Sequence, residues 1–385
     1  MDFSYTDEQR QLADTLRRYA ENEYTVEHRR KVAREHDGLC RAAWRTYAEF
    51  GLLALTVPEA YGGFSGSAAD IFVVQYEAGR ALLLEPLIPS SVVSAGMIAA
   101  HGSESFKARW LPALADGSKI VTPAWQERNA RFDFDRPQTI ASALGDGYRI
   151  DGGKLHVWHG GAADAFIVPA WNPAVEAVTL FMVDAHAQGV SVRAYPTVDG
   201  QRAAEVTFES VIVAASDVLG DPRKGAVILE AGLDSGIAAL CAASVGAIDQ
   251  LIGTTAEYLR TRRQFGQPLA AFQALRHRLA DMQVQKELAL SMTHLAVAAI
   301  DASTPAERRR AISGAKAMVA RAARFIGQNA IQLHGGIGVT AELVVGDYFK
   351  FLTAAGQMFG DADHHTDRFA RTVAEDCGSA PAFAG

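Results

Sequence analysis

Tyr258-Leu259-Arg260-Thr261-Arg262-Arg263-Gln264-Phe265-Gly266 closes a long apolar run in which Ile237, Leu240, Cys241, Val245, Ile248 and Ile252 line one stripe at helical spacing. Further long helices are expected from near Phe272 to Ile300, from about Pro305 to Leu333, and from about Phe359 towards Val373. Four long helices with short connections predict an antiparallel bundle over residues 221–385. Asp234 suits the cap of a helix beginning near Ser235.

Upstream of the bundle, residues 119–220 change character. Tyr148 and Ile150 lead into Asp151-Gly152-Gly153, and Leu155 and Val157 resume the alternation, as in a hairpin. Strand signals recur at Thr179–Val183 and around Val206 and Phe208. No helix-length segments separate them, so a small β domain is expected and a Rossmann-type site is not. Residues 1–118 read as a helical domain. Thr6 and Gln9 have the spacing of a capping box, and Leu12, Leu16 and Tyr19 share a helical face. Trp44, Tyr47, Phe50 and Leu53 continue at helical spacing to a break at Tyr61-Gly62-Gly63. Helix is expected again from Ala68 to Leu84 and from Ser105 to Leu111, where Pro112 follows. The fold class is α+β.

The 385 residues are 49% hydrophobic, enough for two or three packed cores. Against 44 Asp and Glu stand 37 Lys and Arg, and the net charge of -7 repels a phosphate backbone, which argues against nucleic acid as a partner. A local basic patch is still able to bind a phosphorylated small molecule. Cys40, Cys241 and Cys377 are few and far apart, so no disulfide framework or zinc motif is suggested and a cytoplasmic setting is expected. No secretory signal is visible, and the apolar stretches at Ala81–Leu84 and Ser91–Ala100 are too short for a membrane helix, so a soluble protein is expected.

Arg262 at the end of a bundle helix offers a fixed fork of donors for a pyrophosphate, with Phe265 beside it. The alternative is a solvated arginine in the basic turn of Arg260, Arg262 and Arg263. Gly335 and Gly336 let backbone approach a cofactor closely, with Gln332 as an amide partner, unless they are an ordinary helix stop before Gly338. Asp361, Asp363, His364 and His365 suit a capped helix start better than a metal site, because adjacent histidines on a helix diverge.

In family order, Phe3–Gln9, Glu59-Ala60-Tyr61-Gly62-Gly63, the 258–266 stretch with Gln273, and Gln332-Leu333-His334-Gly335-Gly336 resemble the signatures of the acyl-CoA dehydrogenase family. The resemblance covers almost the whole chain. The ending Phe359-Gly360-Asp361-Ala362-Asp363-His364-His365 is most similar to the small subunit of a pimeloyl-CoA-type dehydrogenase. It implies the acyl-CoA dehydrogenase fold, with an N-terminal helical domain, a middle β domain and a C-terminal four-helix bundle. It also implies FAD across a dimer interface, with Arg262, Phe265, Gln273, Gln332, Gly335 and Gly336 holding the adenosine and pyrophosphate end of a neighbouring chain's cofactor.

Departures fall on the flavin-ring side that the resemblance implies. Trp125-Gln126-Glu127-Arg128-Asn129 is followed by Ala130-Arg131-Phe132 where glycines are usual, and His156-Val157-Trp158 puts an indole where a small hydroxyl is usual. Phe359 aligns with the family's catalytic glutamate, and Gly236, in Leu233-Asp234-Ser235-Gly236-Ile237, with its alternative position. No catalytic base is identified, although Glu127 and Asp361 are candidates for a displaced one. Losses confined to one side imply a non-catalytic subunit that completes the FAD site of a base-carrying, acyl-CoA dehydrogenase-like partner. The other readings are a self-contained flavoenzyme using Asp361, with oxidase or oxygenase chemistry, and a non-redox scaffold. An acyl-CoA substrate and an electron-transfer flavoprotein as acceptor follow from the resemblance, while the acyl group stays open.

Overall fold

A computed structural model describes residues 5–35, 38–300, 304–376 and 378; Phe3, Ser4 and Cys377 lie outside the described residues. In chain order the helices are α1 (Asp7–Asn22), α2 (Val26–Val32), α3 (Arg41–Glu49), α4 (Ala68–Ala81), α5 (Ala95–His101) and α6 (Glu104–Ala115). After the strands come α7 (Gly225–Thr261), α8 (Gln273–Ala298), α9 (Pro305–His334), α10 (Val345–Ala355) and α11 (Ala362–Asp376). The chain divides into two compact units, one built from the described residues up to Arg29, Ala68–Leu83 and those from Ile237 onward, the other from Arg30–Ser67 and Leu84–Gly236.

In the first unit, Thr6 closes the expected capping box. Its hydroxyl accepts the Gln9 N–H at 3.2 Å and Gln9 Oε1 accepts the Thr6 N–H at 3.1 Å. Thr304 repeats the device on Glu307, with Pro305 at the first helical position of α9. Helices α4 and α7 touch backbone to backbone: a Cβ on Gly79 would fall 1.8 Å from the Ala243 carbonyl oxygen, and one on Gly246 1.9 Å from that of Tyr76. Along this contact Arg80 bonds Asp249 at 2.5 Å and Lys286 bonds Asp249 at 3.0 Å. The 237–252 stripe is buried as its spacing requires.

Helix α10, Val345–Ala355, fills a stretch with no expected element. Helix α11 starts at Ala362, because Phe359 (φ 57°) and Gly360 (φ 113°) take left-handed conformations that a helix excludes. Asp234 caps nothing at Ser235; it is buried inside α7, which begins at Gly225. Helix α4 stops at Ala81, short of Leu84, because Leu82 turns left-handed at φ 52°.

In the second unit, Pro112 does not end α6, which runs on to Ala115. A π-helical segment, Leu87–Ser94, then α5, replaces the apolar run at Ser91–Ala100. Strands β1 (Val121–Pro123), β2 (Ile140–Leu144), β3 (Gly147–Trp158), β4 (Ala165–Asn172), β5 (Ala177–Asp184), β6 (Val190–Pro196) and β7 (Arg202–Ala214) form one sheet. Its order is β1-β4-β2-β3-β7-β6, with β5 on β4. The expected hairpin at Asp151-Gly152-Gly153 is absent: β3 runs straight through, and the turn lies earlier, where Leu144 pairs with Gly147. Gly152 marks a bulge opposite β7, and a side chain there would meet the Thr139 hydroxyl at 2.6 Å. Ile150, Phe166, Phe181, Val206 and Phe208 fill the core beneath.

Helix α7 is long and apolar enough, by length and composition, to cross a membrane, which the two short stretches considered in the sequence did not reveal. Most of it is buried inside the protein, as in the core helix of a bundle.

Candidate functional site

Helix α7 ends in a tight hairpin. The Arg262 N–H donates to the Tyr258 carbonyl at 2.9 Å, and the Leu269 N–H to the Arg262 carbonyl at 2.8 Å. Between them, β8 (Arg263–Gln264) pairs with β9 (Gln267–Pro268). The two turn residues, Phe265 and Gly266, are both left-handed, at φ 52° and 81°, which suits the strand twist but is uncommon for phenylalanine. Phe265 is 89% exposed. Its only ring neighbour among the described residues is Phe272, edge-on at 6.1 Å. Arg262 and Gln273 are exposed beside it, and neither side chain has a hydrogen-bond partner among the described residues.

The second cluster caps α9. Gly335 has φ 64° and ψ -147°, a region only glycine enters readily, and its N–H donates to the Gln332 carbonyl. Nothing lies within 4 Å of a Cβ built on Gly335 or Gly336, so this backbone is open on its outer side, with Gln332 exposed next to it. The glycine pair stops the helix and leaves bare backbone on its outer side.

Tyr258 and His334, which the sequence reading did not single out as site residues, bring the clusters together. Their rings stack at 4.4 Å and 27°, and the Tyr258 hydroxyl donates to the His334 carbonyl at 3.3 Å. Tyr258 is one turn before Arg262, and His334 immediately precedes Gly335, so the stack fixes one motif against the other. The available signal was positional: a tyrosine one helical turn before the arginine, and an imidazole just ahead of the glycine pair.

The remaining candidates are committed elsewhere. Glu127 is a buried latch: its carboxylate accepts from Lys154 Nζ at 2.6 Å, from the Gln138 and Thr139 N–H groups at 2.5 and 3.1 Å, and from the Thr139 hydroxyl at 2.7 Å. Burial raises its pKa, but the Lys154 charge and these donors outweigh that and hold it below the usual glutamate value. Such a carboxylate is a poor proton acceptor. Trp125 is core, and the half-buried Trp158 donates its indole N–H to Gln201, itself buried, while stacking on His159 at 5.9 Å.

Asp361 accepts the His364 N–H at 2.8 Å and so caps α11. His364 and His365 stand perpendicular with ring centres 5.0 Å apart, and His365 donates Nε2–H to the Phe359 carbonyl at 2.9 Å. Among the described residues no three metal-ligating side chains gather. Lys316, buried on α9, donates to the Ala355 and Gly356 carbonyls at 2.8 and 3.3 Å. The segment around Phe359 is thus tied down on both sides.

Three family profiles match the chain: acyl-CoA dehydrogenase N-terminal domain over residues 6–118, middle domain over 122–211 and C-terminal domain over 223–374. The short-chain-specific acyl-CoA dehydrogenase of Clostridium acetobutylicum is 30% identical over 90% of this chain and 92% of its own length. Acyl-CoA dehydrogenase FadE27 of Mycobacterium tuberculosis is 29% identical over 97% of this chain and 99% of its own. Among solved structures, the ChsE4-ChsE5 complex from Mycobacterium tuberculosis superposes with a TM-score of 0.90 at 26% identity, covering 99% of this chain and 100% of the other. A variant of the Tcur3481-Tcur3483 steroid ACAD gives 0.89 at 30% identity, covering 97% and 99%.

The chain belongs to the acyl-CoA dehydrogenase family, whose cofactor is FAD and whose reaction is the dehydrogenation of acyl-CoA. Measured against that cofactor, the two sides of the expected site differ. The uncommitted side chains of Arg262, Gln273 and Gln332 and the open backbone of Gly335 and Gly336 fit a nucleotide diphosphate. The Trp158 side, where the resemblance brings the flavin ring, presents a half-buried indole already bonded to Gln201 where a small hydroxyl is usual, and so does not offer the ring a free hydrogen-bonding edge.

Proposed function

We propose that this chain is the non-catalytic subunit of a heteromeric FAD-dependent acyl-CoA dehydrogenase, and that it lends its Arg262–Gly336 face to a base-carrying, dehydrogenase-like partner. The observation that carries this reading is Phe265, an aromatic ring 89% exposed at the tip of the β8–β9 hairpin that follows the uncommitted Arg262. A phenylalanine presented to water in a left-handed turn makes physical sense when another chain covers it. Helix α8 adds to this with Val284, Leu288 and Leu295, 56%, 47% and 47% exposed at helical spacing along one seam. Two of the similar structures are named as pairs of gene products, ChsE4-ChsE5 and Tcur3481-Tcur3483.

Bound FAD supplies the hydride acceptor of the reaction. This chain's part is binding: Arg262 offers its guanidinium fork to the diphosphate, Gln273 and Gln332 offer amides, and the bare backbone of Gly335 and Gly336 allows close approach. The proton leaves to a carboxylate on the partner, because the positions implied for a base here hold Phe359 and Gly236. Asp361, the base of the self-contained alternative, is engaged as a helix cap. The free thiols of Cys40 and Cys241 suit a reducing cytoplasm.

The test is co-expression with a candidate partner chain, followed by Arg262→Ala in this chain alone. Loss of a charge-assisted bond of about 1.5–3 kcal/mol weakens FAD binding by the mixed assembly roughly 10- to 150-fold. Unaltered FAD binding in the variant assembly, or full turnover by this chain alone, contradicts the reading.

A further inference from the structure

The end of α3, the turn that follows it and the end of α6, all in the second unit, enclose a cavity of about 360 Å³, the size of a small-molecule site. Three rings line it, those of Phe50, Tyr61 and Phe64, together with two carboxylates, Glu49 and Asp116. The remaining wall is alanine, glycine and proline, and no lysine, arginine or histidine belongs to it.

Phe64 is 60% exposed, yet its place is fixed. Its N–H donates to the Ala54 carbonyl at 3.2 Å, and the next two N–H groups donate to Val57 and Leu55 at 2.9 and 2.7 Å. The ring lies so close to Gly51, left-handed at φ 75°, that a Cβ there would fall 2.6 Å from it. Nearby charges do not neutralise the cavity. Lys107 pairs with Glu104 at 3.3 Å, and Glu104 accepts the Tyr61 hydroxyl at 2.6 Å. The Asp116 carboxylate accepts the Ser118 N–H at 2.8 Å, and neither it nor Glu49 has an ion-pair partner among the described residues.

An aromatic face and a carboxylate attract the same kind of group, a cation, while an apolar wall takes an uncharged body. The same carboxylates repel acyl-CoA and FAD, both of which are anionic. We propose that this cavity binds a small organic cation, an ammonium or guanidinium head on an apolar body, with the head held by Glu49, Asp116 and the Phe64 ring. The ligand is therefore neither the substrate nor the cofactor of the dehydrogenation, and the site does not depend on the reading of Arg262–Gly336.

The experiment titrates the whole chain by calorimetry with phenethylammonium and with 3-phenylpropionate, which are similar in shape and opposite in charge. Saturable binding of the ammonium with a Kd below about 1 mM is expected, weakening as salt screens the exposed carboxylates, and no binding of the carboxylate. Phe64→Leu keeps the apolar bulk and removes the π face, whereas Glu49→Gln keeps the shape and removes the charge. Each is expected to weaken the ammonium about two- to fivefold, and the double variant about tenfold. Both side chains are exposed, so an unchanged Tm is expected of each variant. Equal binding of the two probes, no saturable binding below about 10 mM, or a folded double variant with wild-type affinity overturns the proposal. The contrast between the probes on the wild-type chain decides the matter even where a variant fails to fold.

Discussion

Three buried ionisable residues illustrate how single side chains hold this scaffold. Lys154, fully buried, is drawn down to about 8 by desolvation despite the Glu127 carboxylate beside it. Glu127→Gln leaves that lysine buried without its counter-charge, and a loss of about 3–5 kcal/mol is expected from chemical denaturation of the second unit. Because Glu127's pKa is lowered in the fold, the latch's contribution is complete above the ordinary glutamate range and disappears as pH falls through the lowered value.

His365 behaves differently. Burial first, then the Lys316 charge, pushes it down to about 2, so between about pH 6.5 and 2 the unfolded chain binds more protons than the folded one. Its contribution to stability therefore falls by about 1.4 kcal/mol for each pH unit below about 6.5. His365→Leu should flatten the acid limb of the first unit's stability curve by about 2 kcal/mol between pH 6.5 and 5. An unchanged slope in urea unfolding at the two pH values would show that the imidazole is not buried neutral.

Among elements, the α4–α7 crossing is the least tolerant. Gly246→Ala places a methyl 1.9 Å from the Tyr76 carbonyl oxygen, which requires the helices to separate. A loss of about 1–3 kcal/mol, or more, is expected from overpacking, read as a drop in Tm of several degrees.

The elements that sequence made legible were those with a strong period or a local cap. The 237–252 stripe, the Thr6–Gln9 box and the glycine at 62 each carry their own signal. What escaped was set by distant contacts. Asp151-Gly152-Gly153 reads locally as a turn, yet β7 pairs alongside and turns the glycines into a bulge. Pro112 reads as a stop, yet Asp116 still donates to its carbonyl at 3.0 Å and the helix closes one turn later. Phe359 has the neighbours of a helix start, but its φ of 57° is held by His365 reaching back from the next helix.

At the site the same division holds. The motif residues were legible by type and spacing. The Tyr258–His334 stack that joins them was not, because 76 positions of sequence separate its members.

Over the whole molecule, the pattern of use and disuse is one-sided. Glu127, Trp158 and Asp361 are each engaged in local hydrogen bonds, whereas the side chains of Arg262, Gln273 and Gln332 have no hydrogen-bond partner among the described residues and Phe265 is exposed. Complementing a partner is the arrangement this suits. Leu288→Lys, on the exposed seam of α8, introduces a charge at the proposed contact without disturbing this chain's core; weaker assembly with unchanged Tm of the isolated chain is expected, read by sedimentation.

The most direct test of the half-site account is to count flavin and mass together, by visible absorbance and native mass spectrometry, for this chain alone and after co-expression with a dehydrogenase-like chain. The account predicts little flavin alone, and a mixed assembly carrying about one FAD for each pair of unlike chains. Full flavin on this chain alone would mean that the Trp158 side accepts the ring after all, and would contradict it.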